Sequence, residues 1–276
     1  MADVAANIQN YYTRGNLRDR IFTWLSENGV DVDRMTFEQL HPVDQIHGRG
    51  IVATREHAEH AAIPPGAEVL DLGCGVGAAS RLLAAEYDCR VTGIDLTQEF
   101  VDVANELTKR CGLADRVEHR QGNAIDLPFE DGTFDHVWCH NVTMNIENKP
   151  AFICEVARVL KQGGRFSCVE VGQGPAGPVT FPVPWAMEAS SSFLVTPEEM
   201  QEMVEAGAMR IIKQIDLTAA SDAFRKEEQE RAARGEAPLR ANHIVMGDDF
   251  ADRRRNMATN VAEGRVIEHI IVAEKV

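Results

Sequence analysis

The stretch VLDLGCGVG, residues 69–77, decides the fold. Residues 69–72 read as a buried strand of a parallel sheet. The glycine-rich turn Gly73-Cys74-Gly75-Val76-Gly77 follows, and apolar residues then recur at helical spacing over 78–86. Glycines keep such a turn tight and let a ligand lie against bare backbone. A second strand, residues 90–94, ends in Asp95, about twenty residues past the turn, where an acid meets the ribose hydroxyls of a bound nucleoside. Strand, turn, helix and acid together read as the opening of a nucleotide-binding βα unit. The turn is also a variant. It reads D-x-G-x-G-x-G, with Asp71 inside the first strand, where a dinucleotide fold usually reads G-x-G-x-x-G.

Downstream, strands and helices keep alternating. A helix is expected over 97–111, with Thr97 as its N-cap and Gly112 as its stop. Strands follow at 117–121 and 134–139, then a helix at 148–160, a glycine turn at 161–165 and a strand at 166–171. Such alternation implies a doubly wound, mostly parallel sheet with helices on both faces. The rhythm breaks at residues 172–190, which are rich in Gly and Pro. Thr196 and Glu199 make a capping box for a helix over 197–206. A strand at 209–217, a charged helical insertion at 218–263 and a final strand at 265–274 complete the chain. The expected fold is α/β, a seven-stranded sheet with an N-terminal helical extension and a helical cap insertion. We read residues 1–276 as a single domain: 1–62 the extension, 63–171 the core, 172–264 the cap and late core elements, 265–276 the final strand.

The formal net charge of −15 argues against nucleic acid and anionic membranes as partners, because attraction to phosphate needs basic surface. A small-molecule substrate suits this balance better. The basic triplet Arg253-Arg254-Arg255 reads as a solvated helix face. Six cysteines, with no C-x-x-C pair, make neither a disulfide framework nor a metal site. The opening residues are too polar for a signal peptide, and no apolar run reaches the ~20 residues that span a bilayer. A cytoplasmic protein with reduced thiols, monomeric or homodimeric, is the expectation.

The resemblance carried by these residues is to class I S-adenosylmethionine (SAM)-dependent methyltransferases. D-x-G-x-G-x-G at 71–77 resembles their motif I. DLPFEDGTFDHVW, residues 126–138, resembles the link from the adenine loop to the fourth strand, and EVARVLKQGGR, residues 155–165, the following helix and turn. The similarity covers residues 69–171 well and the rest loosely. Within the class the chain resembles the group with sarcosine/dimethylglycine N-methyltransferases, ubiquinone/menaquinone C-methyltransferases and tocopherol methyltransferases. The resemblance implies SAM as cofactor and S-adenosylhomocysteine as product. It places the backbone of Gly73, Gly75 and Gly77 against the methionine and ribose, and Asp71 near the amino group. Asp95 would take the ribose hydroxyls, Leu96 the adenine face, and Asn123 and Ala124 the adenine edge. The chain departs from the family at Asn123, where Asp is usual. His140 falls where a residue usually faces the methionine end, with Asn141 and Asn145 toward the acceptor.

SAM chemistry needs positioning more than acid–base help, and no clear base stands out. His47 and His140 are the candidates; for His47 a site role is slightly favoured over a turn residue beside glycines. Tyr11 and Tyr12 either shape the transfer cavity or pack the extension on the core. Asn145 reads as a substrate contact or a turn residue, and Phe181 and Trp185 as an acceptor wall or as cap packing. The expected activity is methyl transfer to a small molecule, at nitrogen, with carbon or oxygen of an aromatic or prenylated acceptor as the alternative. A non-catalytic SAM-binding protein is a further reading. An NAD oxidoreductase is disfavoured, because no Tyr-x-x-x-Lys follows the strands.

Overall fold

The computed structural model describes residues 4–13, 15–236 and 239–276. Helices α1 (Val4–Tyr12), α2 (Leu17–Glu27), α3 (His41–Asp44) and α4 (Ile51–Ala61) precede the first strand. The core then runs β1 (Glu68–Leu72), α5 (Ala78–Glu86), β2 (Arg90–Asp95), α6 (Gln98–Arg110), β3 (Val117–Gln121), β4 (Phe134–His140), α7 (Lys149–Val159) and β5 (Leu160–Gln173). It continues through α8 (Pro197–Ala206), β6 (Met209–Asp216), α9 (Thr218–Ala233), α10 (Asn242–Met246), α11 (Phe250–Ala262) and β7 (Val266–Lys275).

The seven strands form one sheet in the order β3-β2-β1-β4-β5-β7-β6. The first five pair in parallel, and β7 slots antiparallel between β5 and β6. The chain builds outward from β1 through β2 to β3, then returns to the other side of β1 for β4. That reversal opens a crevice at the carboxyl ends of β1 and β4, the place where ligands bind in open α/β sheets.

Both sheet faces are covered, which is why β1 reads as a nearly continuous apolar run. On one face α7 and α8 set Phe152, Val156 and Val204 against Leu70, Val137 and Phe166. On the other, α4 and α5 set Ala58, Leu82 and Leu83 against Val69, Val91 and Trp138. The N-terminal extension meets the late insertion: Ile21 and Leu25 of α2 share a cluster with Leu107 of α6 and Val245 of α10. A buried ion pair, Arg81 Nη2 to Asp44 Oδ2 at 2.9 Å, ties α3 to α5.

Most expected elements fall within a residue or two of their observed limits. The capping box forms, with Thr196 Oγ1 accepting from Glu199 N and Thr196 N donating to Glu199 Oε2. Thr97 does sit at the N-cap of α6, but its side chain makes no capping bond; Asp95 Oδ1 accepts Thr97 N at 2.8 Å instead. The glycine turn at 161–165 is a bulge inside β5. Phe134 pairs with Leu160 and His136 with Arg165, so the residues between are pushed out of register. The triplet 253–255 is not a solvated face. Arg253 is fully buried, pairs with Asp249 at 2.7 Å and also donates to the Met246 carbonyl, while Arg255 alone stays exposed. Residues 172–173 continue β5, pairing with Ile267 and Val266, before the irregular segment begins.

The turn leaves no room beside β2. A Cβ on Gly93 would stand 2.5 Å from His119 Cδ2 and 2.9 Å from Cys74 Sγ. Gly93→Ala should therefore lower the unfolding free energy by about 1–3 kcal/mol through overpacking. Urea denaturation followed by circular dichroism checks it, with unchanged midpoints counting against this packing account.

Candidate active site

A cavity of about 640 Å³ opens at the carboxyl ends of β1, β2 and β4. That volume lies in the ordinary range for ligand sites, about 300–1,000 Å³. One wall of the cavity starts at the glycine turn. Gly73 N and Cys74 N both donate to the Ile94 carbonyl, at 2.7 and 3.1 Å, which docks the turn on β2. Gly75 N donates to Asp95 Oδ2 at 2.9 Å, so the Asp95 carboxylate is gripped by one N–H on each oxygen. An ionised carboxylate has about four lone-pair sites, so both oxygens keep capacity for hydroxyls presented from the cavity. A Cβ on Gly75 would meet nothing nearer than Ile46 Cδ1 at 3.9 Å, so the turn shows bare backbone to the cavity.

The three motif glycines divide their work. All have positive φ, at 68°, 54° and 82° for Gly73, Gly75 and Gly77. Gly73 and Gly75 line the cavity, while Gly77 lies outside its wall. A Cβ on Gly77 would stand 2.7 Å from His119 Nε2, so Gly77 serves the packing of α5 on the sheet rather than a ligand. Leu96, Asn123 and Ala124 line the same half. Asn123 Oδ1 accepts Ile125 N at 3.2 Å and braces its own loop. Asp71 is buried and takes a 2.6 Å hydrogen bond from Ser80 Oγ. Burial pushes its carboxyl up to about 7. Burial also raises Asp95 above the usual carboxylate range. A nucleoside with a vicinal diol and a cationic amino group fits this set of acceptors: carboxylate lone pairs at Asp95 and an acid at Asp71, beside bare backbone at Gly75.

Beyond the turn, imidazoles gather under the end of β4. His140 is the last residue of β4, and His47 stacks on it with ring centroids 4.1 Å apart. His57 Nδ1 lies 3.5 Å from His140 Nδ1. Its Nε2 meets Ser167 Oγ at 2.9 Å, and Ser167 Oγ also meets His136 Nε2 at 2.8 Å. Thr54 Oγ1 donates to Gln45 Oε1 at 2.6 Å and lies 3.0 Å from His47 Nε2. With its one proton spent on Gln45, Thr54 accepts from His47, which assigns the proton of His47 to Nε2. Burial lowers His47 and His136 to about 3, and His57 and His140 well below their usual range. All four are neutral at pH 7. Sequence reasoning missed His57, His136 and Ser167. The available signal was H-x-W-x-H, residues 136–140, whose alternation puts His136, Trp138 and His140 on one face of β4.

The remaining expected residues separate. Tyr12 lines the cavity, and its hydroxyl donates to Asn145 Oδ1 at 3.1 Å. Asn145 Nδ2 in turn donates to the Trp185 and Ser191 carbonyls, so this wall residue also braces the loop. Tyr11 lies off the wall. It donates to the Pro184 carbonyl at 3.0 Å and accepts from Arg253 Nη1. His47, Asn141 and Trp185 face the cavity, whereas Phe181 packs behind it with Val183 and Val261.

Residues 70–168 match the family model described as a methyltransferase domain. The chain carries a methyltransferase domain. It is 38% identical over 119 residues to a probable tocopherol O-methyltransferase of Oryza sativa subsp. japonica, covering 41% of this chain and 33% of that protein. It is 36% identical over 121 residues to a demethylmenaquinone methyltransferase of Symbiobacterium thermophilum, covering 43% and 48%. The chain thus spans a third to a half of these relatives' length. The fold is shared with phosphoethanolamine N-methyltransferase 2 of Haemonchus contortus, at a TM-score of 0.71 and 20% identity over 87% of this chain and 57% of that one.

Asp71 should mark the pH dependence of stability. Its folded pKa of about 7 lies above the ~3.9 of an unfolded Asp, so the stabilising share of the protonated form is full below pH ~4. It is lost as pH rises through 7. Asp71→Asn, neutral throughout, should therefore gain stability relative to wild type from pH 5 to 8, read by urea denaturation at each pH. A constant difference would show that Asp71 does not titrate there.

Proposed function

We propose that the protein transfers the methyl group of SAM to the nitrogen of a small-molecule acceptor. The observation that carries this reading is the Asp95 carboxylate, clamped by Gly75 and Thr97 beside bare turn backbone, in a chain with a methyltransferase domain. When bound, SAM supplies a methyl already activated on a sulfonium sulfur. Asp95 accepts the ribose hydroxyls, Asp71 receives the amino group, and Leu96 and Ala124 flank the base. His47, His140, Asn141 and Asn145 border the acceptor side. Holding an acceptor in line at ~3–3.5 Å supplies about 7–11 kcal/mol of the barrier lowering.

The neutral imidazoles support nitrogen. His47, lowered to about 3, and His140, lowered well below the usual imidazole range, are weak bases and ill-suited to ionising a phenol or a carbon acid, whereas a neutral amine brings its own lone pair. Met246, Phe250 and Met257 on the cavity wall favour the second reading, a carbon or oxygen acceptor with an aromatic or prenylated body.

Labelled SAM with panels of amines, phenols and quinols, followed by S-adenosylhomocysteine release, tests the reaction. Turnover of an amine is expected; turnover of phenols or quinols alone would favour the second reading, and binding without turnover a non-catalytic role. Asp95→Ala should weaken SAM binding about 10- to 100-fold, the worth of hydrogen bonds to a charged acceptor. Titration calorimetry reads it, and unchanged affinity would remove Asp95 from the cofactor site.

A further inference from the structure

The sheet order gives the cavity a direction. Asp95 stands at the end of β2, and His140 at the end of β4. Beyond them the wall is completed by α9 and α11, which pack on β7. From β2 to β7 is four strand spacings in the order β2-β1-β4-β5-β7, about 19 Å at ~4.8 Å per strand. The cofactor groups hang from one side of this span, the insertion from the other, and His140 lies between. Whatever accepts the methyl therefore extends from His140 toward α9 and α11.

To that far wall α9 and α11 bring two guanidiniums and β7 one carboxylate, although the chain as a whole is at −15. Arg225 of α9 and Arg254 of α11 both line the cavity. Arg225 meets Asp222 Oδ1 at 3.2 Å, one turn earlier on its own helix, and Lys226 holds the same carboxylate at 2.7 Å. The carboxylate paired with Arg254 is 3.7 Å away, on Glu228, whose close contact, at 2.9 Å, is with Arg240. Two carboxylates thus serve four cations. Glu268 of β7 is the acid that shares this wall, placed to face a cationic or amine group. A guanidinium presents paired N–H donors that match the oxygens of a carboxylate or phosphate.

We infer that the methyl acceptor carries an oxyanion group, carboxylate or phosphate, held by Arg225 and Arg254 at the insertion end of the cavity. This rests on the methyltransferase reading above. It makes the acceptor a two-ended molecule, with its nucleophile near His140 and its anion under α9 and α11.

Titration calorimetry with benzoate, phenyl phosphate and benzamide, three probes of similar shape, tests the assignment on protein saturated with S-adenosylhomocysteine and on the free protein. At least one anion should bind about tenfold or more tighter than neutral benzamide, and the better anion tells carboxylate from phosphate. The double variant Arg225→Gln/Arg254→Gln should lose that preference while its affinity for S-adenosylhomocysteine and its Tm stay put. Arg254→Gln alone should lose part of it, which keeps the test open if the double variant folds poorly. Equal binding of all three probes, no binding of either anion, or a preference that survives the double variant overturns the inference. Failure to bind S-adenosylhomocysteine sinks the methyltransferase reading instead, and the probes on free protein still decide the anion site.

Discussion

The peptide N–H groups of Gly73, Cys74 and Gly75 all turn back onto the end of β2, two to the Ile94 carbonyl and one to the Asp95 carboxylate. This constraint makes the site. Because the turn is fastened to the neighbouring strand, its outer surface is free to face a ligand, and α5 can start at once beyond it. The demand for three positive φ values, with side-chain-free backbone at Gly73 and Gly77, follows from the same docking. Asp95 holds the turn and the start of α6 with one bond on each oxygen, and it lines the cavity beside them.

Around this fixed turn the protein arranges groups whose charge is controlled by burial. Asp71 is set near neutrality, and the imidazoles under β4 are held uncharged. Desolvation is the first cause in every case. The result is a cavity with acceptor oxygens at the β2 end and uncharged imidazoles at the β4 end. Ser167 links His57 and His136, so the ring under His140 is held by packing on Trp138 and by a hydroxyl shared between two imidazoles.

The cavity is closed by pieces distant in the chain. The extension supplies Tyr12 through α1 and packs through α2 on α6 and α10. Arg253, buried in α11, reaches back to the Tyr11 hydroxyl, so the first helix and the last insertion helix brace each other. Tyr11 therefore ties α1 to α11, and Tyr12 beside it lines the cavity.

Local signals in the sequence determined the strand–turn–helix at residues 69–86, the acid at the end of β2 and the alternation that makes a doubly wound sheet. These depend on glycine geometry and on periodicity, which act over a few residues. The placement of Asp71, Asp95, Gly73 and Gly75 around the turn was legible for that reason. Only the tertiary structure placed β7 between β5 and β6, turned Gly77 away from the cavity, and brought His57 and Ser167, 110 residues apart, into one hydrogen-bonded line. It also split the arginine triplet, burying Arg253 and giving Arg254 to the wall. Those outcomes are set by which surfaces meet across the sheet, and spacing along the chain carries no record of such long-range packing.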